Sequence, residues 1–260
     1  MSARISPSLL LLFNLLGLLL VIVVNGLANA LPLNGWNTGE LSALYPNLFV
    51  PAGVTFAIWG LIYVALILFV GRQFYARTND KREEEAVTQA IGWWFFATCL
   101  FNAGWIFAWH YRQVGLSVLI MLALLTSLIV IYQRIKVLPS PARWATHWPF
   151  SLYLGWITVA TIANITAFLV DRQWQAGFSQ AVWAAIMIGV AVAVGLIILN
   201  RERDYIFNFV LLWTLAGILI KRTNTFPPAE LVTTAATLGM LALIGSLSYA
   251  WWRDSRRLVR

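Results

Sequence analysis

Three apolar stretches of this 260-residue chain carry amide and aromatic side chains at helical spacing, and these are the groups with the most chemistry to offer. In "NLFVPAGVTFAIWGLIYVALILFVG", Phe56, Trp59 and Tyr63 fall on neighbouring positions of one helical face. In "CLFNAGWIFAWH", Asn102, Trp105 and Trp109 stand at i, i+3 and i+7, again one face. In "PFSLYLGWITVATIANITAF", Trp156, Ala160 and Asn164 follow at intervals of four. At about 1.5 Å rise per residue, Trp59, Asn102 and Asn164 each lie roughly 10–15 Å below the outer surface of a membrane. Indole and phenol rings offer flat stacking faces, and a few amides in an apolar setting orient a ligand. The same residues serve as interhelical glue, because Asn and Trp hydrogen-bond across helices in lipid. Spacing alone leaves pocket and packing open.

Other chemistry finds little support. A nucleophile needs a base beside it, and the chain has two histidines, His110 and His147, at opposite ends of their spans. A membrane thickness apart, they cannot share one metal or ligate one haem together. Each reads as an interfacial polar residue. Cys99 is the one cysteine, without a disulfide or metal companion, and reads as a core residue. Proton-coupled pumps place Asp, Glu or His near mid-membrane, and no apolar run here does. Lys221 stands beside Arg222 at a span end, with no counter-ion in any span, which argues against a retinal Schiff base. No metal site and no catalytic residue is assigned, and the chain is read as a non-enzyme.

Apolar runs must position these groups. Hydrophobic residues make up 60% of the chain and charged ones 11%, against about 25% charged in soluble domains. A hydrocarbon core about 30 Å thick takes roughly 20 helical residues to cross. Eight runs meet that length: about 8–30, 49–71, 88–110, 114–133, 148–170, 180–199, 205–220 and 231–252. The fold class is therefore all-α, a polytopic transmembrane helix bundle of about eight spans. With the N-terminus in the cytoplasm, fourteen Lys and Arg fall inside and four outside, the four being Arg112, Arg172, Lys221 and Arg222. That bias sets both termini in the cytoplasm. It also accounts for the net charge of +8 without nucleic acid as a partner.

The first run, "MSARISPSLLLLFNLLGLLLVIVVNGLANA", ends like a signal-peptidase site, with a mature start near Leu31 as the rival reading. Its apolar stretch exceeds the 7–15 residues of a signal h-region, so it is read as a retained helix. Residues 31–48 form a long loop with Trp36 and Tyr45, of the kind that lids a site. "NDKREEEAVTQ" reads as a solvated turn in which Asp80 starts the next helix. No internal repeat relates the two halves, which leaves an inverted-repeat transporter unsupported. Small residues four apart, Ala181, Ala185, Gly189 and Ala193, and then Ala242, Ser246 and Ala250, permit close helix approach. They read as intramolecular packing, with a homodimer as the alternative. Trp93, Trp94, Trp144, Trp148, Trp174, Trp251 and Trp252 sit near span ends, where Trp is enriched. Trp59, Trp105, Trp156, Trp183 and Trp213 lie deeper and need packing or a ligand.

At these segments the chain resembles the tryptophan-rich sensory protein (TspO/MBR, translocator protein) family. The family's second-helix motif, P-x-x-x-F-x-x-x-W-x-x-L-Y, is matched by Pro51, Thr55 or Phe56, Trp59, Leu61, Ile62 and Tyr63. Its L-N-x-x-W is matched by Phe101, Asn102 and Trp105. Its fifth helix, P-Y-x-x-W followed by A-T-x-x-N, is matched by Pro149, Phe150 and Tyr153, then Ala160, Thr161 and Asn164. Tyr153 stands where the family has Trp, Phe101 replaces Leu, and A-T-x-x-N lies about three residues later. The resemblance covers about residues 8–170 and implies a TspO-like five-helix core there. Residues 171–260 then add three helices to the same membrane domain, as in a longer bacterial variant.

The family binds porphyrins and other flat apolar ligands, so the resemblance implies a sensor or binding protein for a tetrapyrrole, porphyrin or haem included. Its ligand-binding residues would be Trp36, Phe56, Trp59, Tyr63, Asn102, Trp105, Trp109, Trp156 and Asn164. A transporter or facilitator of a small apolar solute is the alternative, and an enzyme that alters its porphyrin a third. The partners implied are the lipid bilayer and the hydrophobic ligand, and the place is the bacterial inner membrane. Reporter fusions at Arg260 and within the 76–86 loop should both read cytoplasm. A C-terminal fusion active only in the periplasm would overturn the charge-derived topology.

Overall fold

Long runs of Leu, Ile and Val in lipid have one local backbone solution, the helix, which closes its own hydrogen bonds. The computed structural model describes residues 6–31, 33–174, 177–225 and 229–258. Among these there are helices and no strand. In chain order they are α1 (Pro7–Ala30), a 3-10 turn at Leu33–Gly35, α2 (Thr38–Ala43), a 3-10 turn at Gly53–Ala57, α3 (Ile58–Thr78), α4 (Arg82–Ile91) and α5 (Trp94–His110). Then come α6 (Val114–Ile135), α7 (Arg143–Thr146), α8 (Trp148–Asp171), α9 (Gln180–Glu202), α10 (Tyr205–Thr223) and α11 (Glu230–Leu258). Seven stretches of the described residues are long and apolar enough to cross a membrane, or eight when the bent pair α4–α5 counts as one span. The protein is an all-helical, polytopic membrane protein.

Two runs differ from the sequence reading. The run at 88–110 is interrupted, because Gly92 takes φ 57° and the axis bends by 50° between α4 and α5. Only glycine adopts that backbone region without steric cost, so the helix stops there and restarts. The run at 49–71 opens without α-helix, and α3 starts at Ile58 and continues to Thr78.

The chain divides into two units. One comprises Met1–Leu41 and Ile58–Ile157, the other Ser42–Ala57 and Thr158–Arg260, so α8 contributes to both. In the first unit α5 packs against α1 and α6, and α3 against α1, α4 and α7. Gly17 sets the α1–α5 distance: a Cβ there would stand 2.9 Å from Phe96 Cδ2 and 3.0 Å from Cys99 Cβ. Cys99 is buried at that contact. The amide of Asn14 in α1 donates to Gln73 Oε1 in α3 at 3.1 Å, a buried polar tie.

The charge-dense stretch between α3 and α4 is less solvated than its composition suggests. Glu84 is 3% exposed and takes two hydrogen bonds of 2.6 Å from Arg72 Nε and Nη2. That fork-to-carboxylate geometry is the strong form of the pair. Asp80 is not the helix cap: it takes φ 51°, and Lys81 holds the cap position. Glu83, Glu84 and Glu85 supply the acidic first turn instead.

In the second unit α9, α10 and α11 pack on one another. The close approaches are at Gly195, where a Cβ would stand 2.9 Å from Asn208 Oδ1, and at Gly239, 2.7 Å from Val192 Cγ2. The Ala181, Ala185, Gly189 and Ala193 stripe is not that contact. Gly189 and Ala193 are exposed, and the buried face runs through Ala184, Ile188, Ala191, Gly195 and Leu199. A residue's shift turns a helix by about 100°, enough to move the small stripe off the packed side. On α11, Ala250 is buried and Ala242 is exposed.

Segment 47–55 is fastened to one side of α10. Ala52 N–H donates to the Gly217 carbonyl at 3.0 Å, and Trp213 Nε1 donates to the Thr55 carbonyl at 2.9 Å. A side chain on Gly217 would meet the side chains of Thr55 and Pro51, so the segment lies directly on the α10 backbone there. Arg222, read from sequence as a group at the water boundary, is 6% exposed. Its Nε donates to the Leu48 carbonyl at 3.1 Å, and its Nη2 to the carbonyls of Asn47 and Val50 at 2.9 and 3.2 Å.

Breaking the Arg72–Glu84 pair strands a cation beside an apolar helix. Removing one partner of a fully buried pair costs about 3–5 kcal/mol. Because Arg72 keeps partial water access, Glu84→Gln should cost about 1–3 kcal/mol of stability, read as a lower melting temperature in detergent. Glu85→Gln, which loses an exposed 3.3 Å contact to Arg77, should cost under ~1 kcal/mol. Equal effects from the two variants would contradict the buried fork.

Candidate ligand-binding site

The first unit gathers four aromatic rings around Trp59, the second residue of α3. Trp59 stacks on Tyr63 one turn on, with centroids 5.7 Å apart and planes 19° from parallel. It stacks on Trp105 of α5 at 6.5 Å and 28°. Tyr153 and Trp156 of α8 meet it edge-on at 6.0 and 6.1 Å, with planes at 69° and 85°. Trp105 in turn stacks on Trp109 at 6.0 Å and 16°. Both arrangements are the favourable ones for ring quadrupoles. Trp105, Trp109, Tyr153 and Trp156 are buried, while Trp59 and Tyr63 are half-buried.

A chain of amides runs beside these rings. Asn25 Nδ2 of α1 donates to Asn102 Oδ1 of α5 at 2.7 Å, and also to the Val21 carbonyl at 3.0 Å. Asn102 Nδ2 donates to Tyr153 Oη at 2.8 Å. Asn102 is fully buried, and its bonds tie three helices at one depth. The Tyr63 hydroxyl is different. It is buried, yet meets no hydrogen-bond partner among the described residues.

Segment 33–38 is held at the C-terminal end of α5. Asn34 Nδ2 donates to the His110 carbonyl at 3.0 Å, and Trp109 Nε1 makes a long 3.5 Å contact with the Thr38 carbonyl. Asn34 takes φ 55° to make this turn, a conformation Asn tolerates better than most residues. The histidines differ in how their rings are held, and His110 Nε2 has no hydrogen-bond partner among the described residues. His110 Nδ1 meets its own helix at the Ile106 carbonyl, 2.8 Å away. His147 bridges Thr146 Oγ1 and the Ile135 carbonyl, both at 2.8 Å. Both are buried within the protein.

Of the site residues read from sequence, Trp59, Tyr63, Asn102, Trp105, Trp109 and Trp156 come together in this unit. Trp36 lies in the same unit, 38% exposed, in the loop that follows the 3-10 turn at Leu33–Gly35. Phe56, half-buried, and Asn164, 4% exposed, belong to the second unit. Two members went unassigned: Asn25, inside the run that also reads as a signal sequence, and Tyr153, noted only as a replacement for Trp. Asn25 is one of three asparagines in α1, with Asn14 and Asn29, and an amide on a largely apolar helix is the signal that could have found it.

Membrane-spanning helices around a buried cluster of rings and amides make this an integral membrane protein. The chain belongs to the TSPO-like protein family, whose model matches residues 11–249. No curated protein and no solved structure matches it. The family match runs through α9 and α10 and most of α11, well past residue 170.

The amide chain makes a stability prediction. Hydrogen bonds between membrane helices average about 0.6 kcal/mol, with about 1.7 the largest measured. Asn102→Leu, which removes two such bonds and leaves the Asn25 amide short of one, should cost about 1–2 kcal/mol in a thermal melt. Tyr153→Phe, which removes one, should cost about half as much. A melting temperature unchanged in Asn102→Leu would show that the bonds contribute nothing.

Proposed function

We propose that the protein binds a flat hydrophobic ligand, a tetrapyrrole or a molecule of similar shape, against Trp59, and acts as a membrane sensor. The observation that carries this reading is the Tyr63 hydroxyl. It is a buried donor without a partner among the described residues, stacked beside the half-buried Trp59 ring. Leaving a hydroxyl unsatisfied costs about 1–3 kcal/mol, a cost that a ligand oxygen or nitrogen removes. Rings on three helices supply stacking area around that point, and the Asn25–Asn102–Tyr153 chain ties two of those helices, α5 and α8, to α1. Segment 33–38 above Trp109 serves as part of the lid, with Trp36 on it. Phe56 and Asn164 belong to the second unit and are left out of this site. The protein is a binder, not a catalyst, and sits in the bacterial inner membrane with both termini in the cytoplasm.

Absorbance of the purified protein titrated with protoporphyrin IX tests this. Saturable binding is expected in the parent. A buried aromatic contributes about 1.5–3 kcal/mol by area, so Trp59→Ala should weaken affinity roughly ten- to a hundredfold. Trp59→Phe keeps a stacking face and should lose clearly less. Tyr63→Phe should weaken binding while leaving the melting temperature the same or higher, since it deletes an unsatisfied group. A packing-only cluster gives the opposite pattern, with lower melting temperatures in the Trp59 variants and no saturable binding in the parent. Protein-dependent flux of the porphyrin into liposomes would assign a carrier instead.

A further inference from the structure

We infer that the second unit holds a separate site for a small, neutral aromatic molecule bearing a carbonyl or amide. A cleft of about 350 Å³ lies among the end of α8, the start of α9 and residues 47–49. That is within the range of small-molecule sites, which are apolar clefts with a few polar groups. Its floor is apolar, from Phe49, Leu169, Val170, Ala184 and Met187. Trp174 and Trp183 stand at its side with centroids 5.6 Å apart and planes at 45°. Phe178 meets Trp183 edge-on at 5.8 Å, backing that ring.

All three walls are fixed by local hydrogen bonds. Helix α8 ends when Gln173 takes φ 55°, and Trp174 N–H reaches back to the Leu169 carbonyl at 2.9 Å. A left-handed residue closed by such a six-to-one bond is a rigid helix stop. Helix α9 is capped by Ser179, whose Oγ accepts from Val182 N–H at 3.3 Å. Residues 47–49 are held from inside by Asn47, whose Oδ1 accepts from the N–H groups of Phe49 and Val50 at 3.2 and 3.1 Å. From behind, Arg222 binds the carbonyls of Asn47, Leu48 and Val50. The cleft is built before any ligand arrives, which lowers the ordering cost of binding.

The lining sets the ligand class. Among the described residues no Asp, Glu, Lys or Arg lines the cleft, so a charged ligand meets no counter-ion from them. Gln173 and Gln180 line it, and their side-chain amides make no hydrogen bond among the described residues. The Asn47 amide, by contrast, is already engaged with backbone. Two uncommitted amides beside indole rings fit a neutral aromatic with a carbonyl or amide. A saturated lipid tail uses neither the rings nor the amides.

Benzophenone is such a molecule, and ultraviolet light attaches it to the side chains it touches. The full chain in detergent is irradiated with increasing benzophenone, digested, and the labelled peptides mapped by mass spectrometry. Saturable labelling of 166–174 and 180–187 is expected, reduced at least tenfold in Met187→Trp, which fills the cleft. Gln173→Leu with Gln180→Leu should reduce it several-fold at an unchanged melting temperature. Trp59→Ala should leave this labelling intact, so loss of porphyrin binding and loss of the cleft are read separately. Labelling that never saturates and spreads over every lipid-facing helix overturns the proposal. So does a co-purified phospholipid that benzophenone fails to displace, and so does labelling equal to the parent in both the filled and the Gln-less variants.

Discussion

A polar group on a membrane-spanning helix has no water to fall back on, and this constraint decides where the helices of this protein must touch. Asn102 is fully buried in α5, and its amide has partners only because α1 brings Asn25 and α8 brings Tyr153 to the same depth. Asn14 and Gln73 play the same part between α1 and α3. Arg222 is the extreme case. A guanidinium 6% exposed on a spanning helix is held by three backbone carbonyls and no carboxylate. Those carbonyls belong to residues 47–50, which lie outside any helix and so have acceptors to spare. Irregular backbone is tolerated at membrane depth only where something satisfies it. Here the arginine and the loop satisfy each other.

Hydropathy made the spans legible, because a length of about 20 apolar residues is set by bilayer thickness and by nothing subtler. Helical spacing made Trp59, Tyr63, Asn102, Trp105 and Trp156 legible as one-faced sets, and the structure brings those five together. Tyr153 was harder, since its role comes from a hydroxyl that reaches across to α5, and spacing along α8 carries no sign of that. Asn25 was masked by a competing pattern, the small-residue ending of a signal sequence. The bend at Gly92 was missed because a run of apolar residues says nothing about φ, and one glycine in such a run is usually tolerated. Burial of Glu84 and Arg222 was invisible for a related reason. Charge in a sequence reads as solvent, and only a partner placed by the fold reverses that.

The small-residue patterns show the same limit. Four-residue spacing of Ala and Gly correctly marks helices that could approach closely, but α9 has more than one such face. Gly195, with Leu211, Asn208 and Leu243 around it, is where α9 meets its neighbours. The longer Ala181-to-Ala193 stripe turns away. Which face is used depends on what the partner helix offers, here the bulk of Leu211 and Leu243, and that information sits elsewhere in the chain.

The helices beyond residue 170 do more than add length. Helix α10 presents Trp213, Gly217 and Arg222 to residues 47–55, with an indole N–H, a bare backbone and a guanidinium each meeting a different part of that segment. These are three unlike solutions to one problem, how to hold a non-helical strip in a low-dielectric setting. Their combination is hard to produce by chance packing. The family match extends to residue 249, so these helices fall within the family's own pattern and are not an appendage to it.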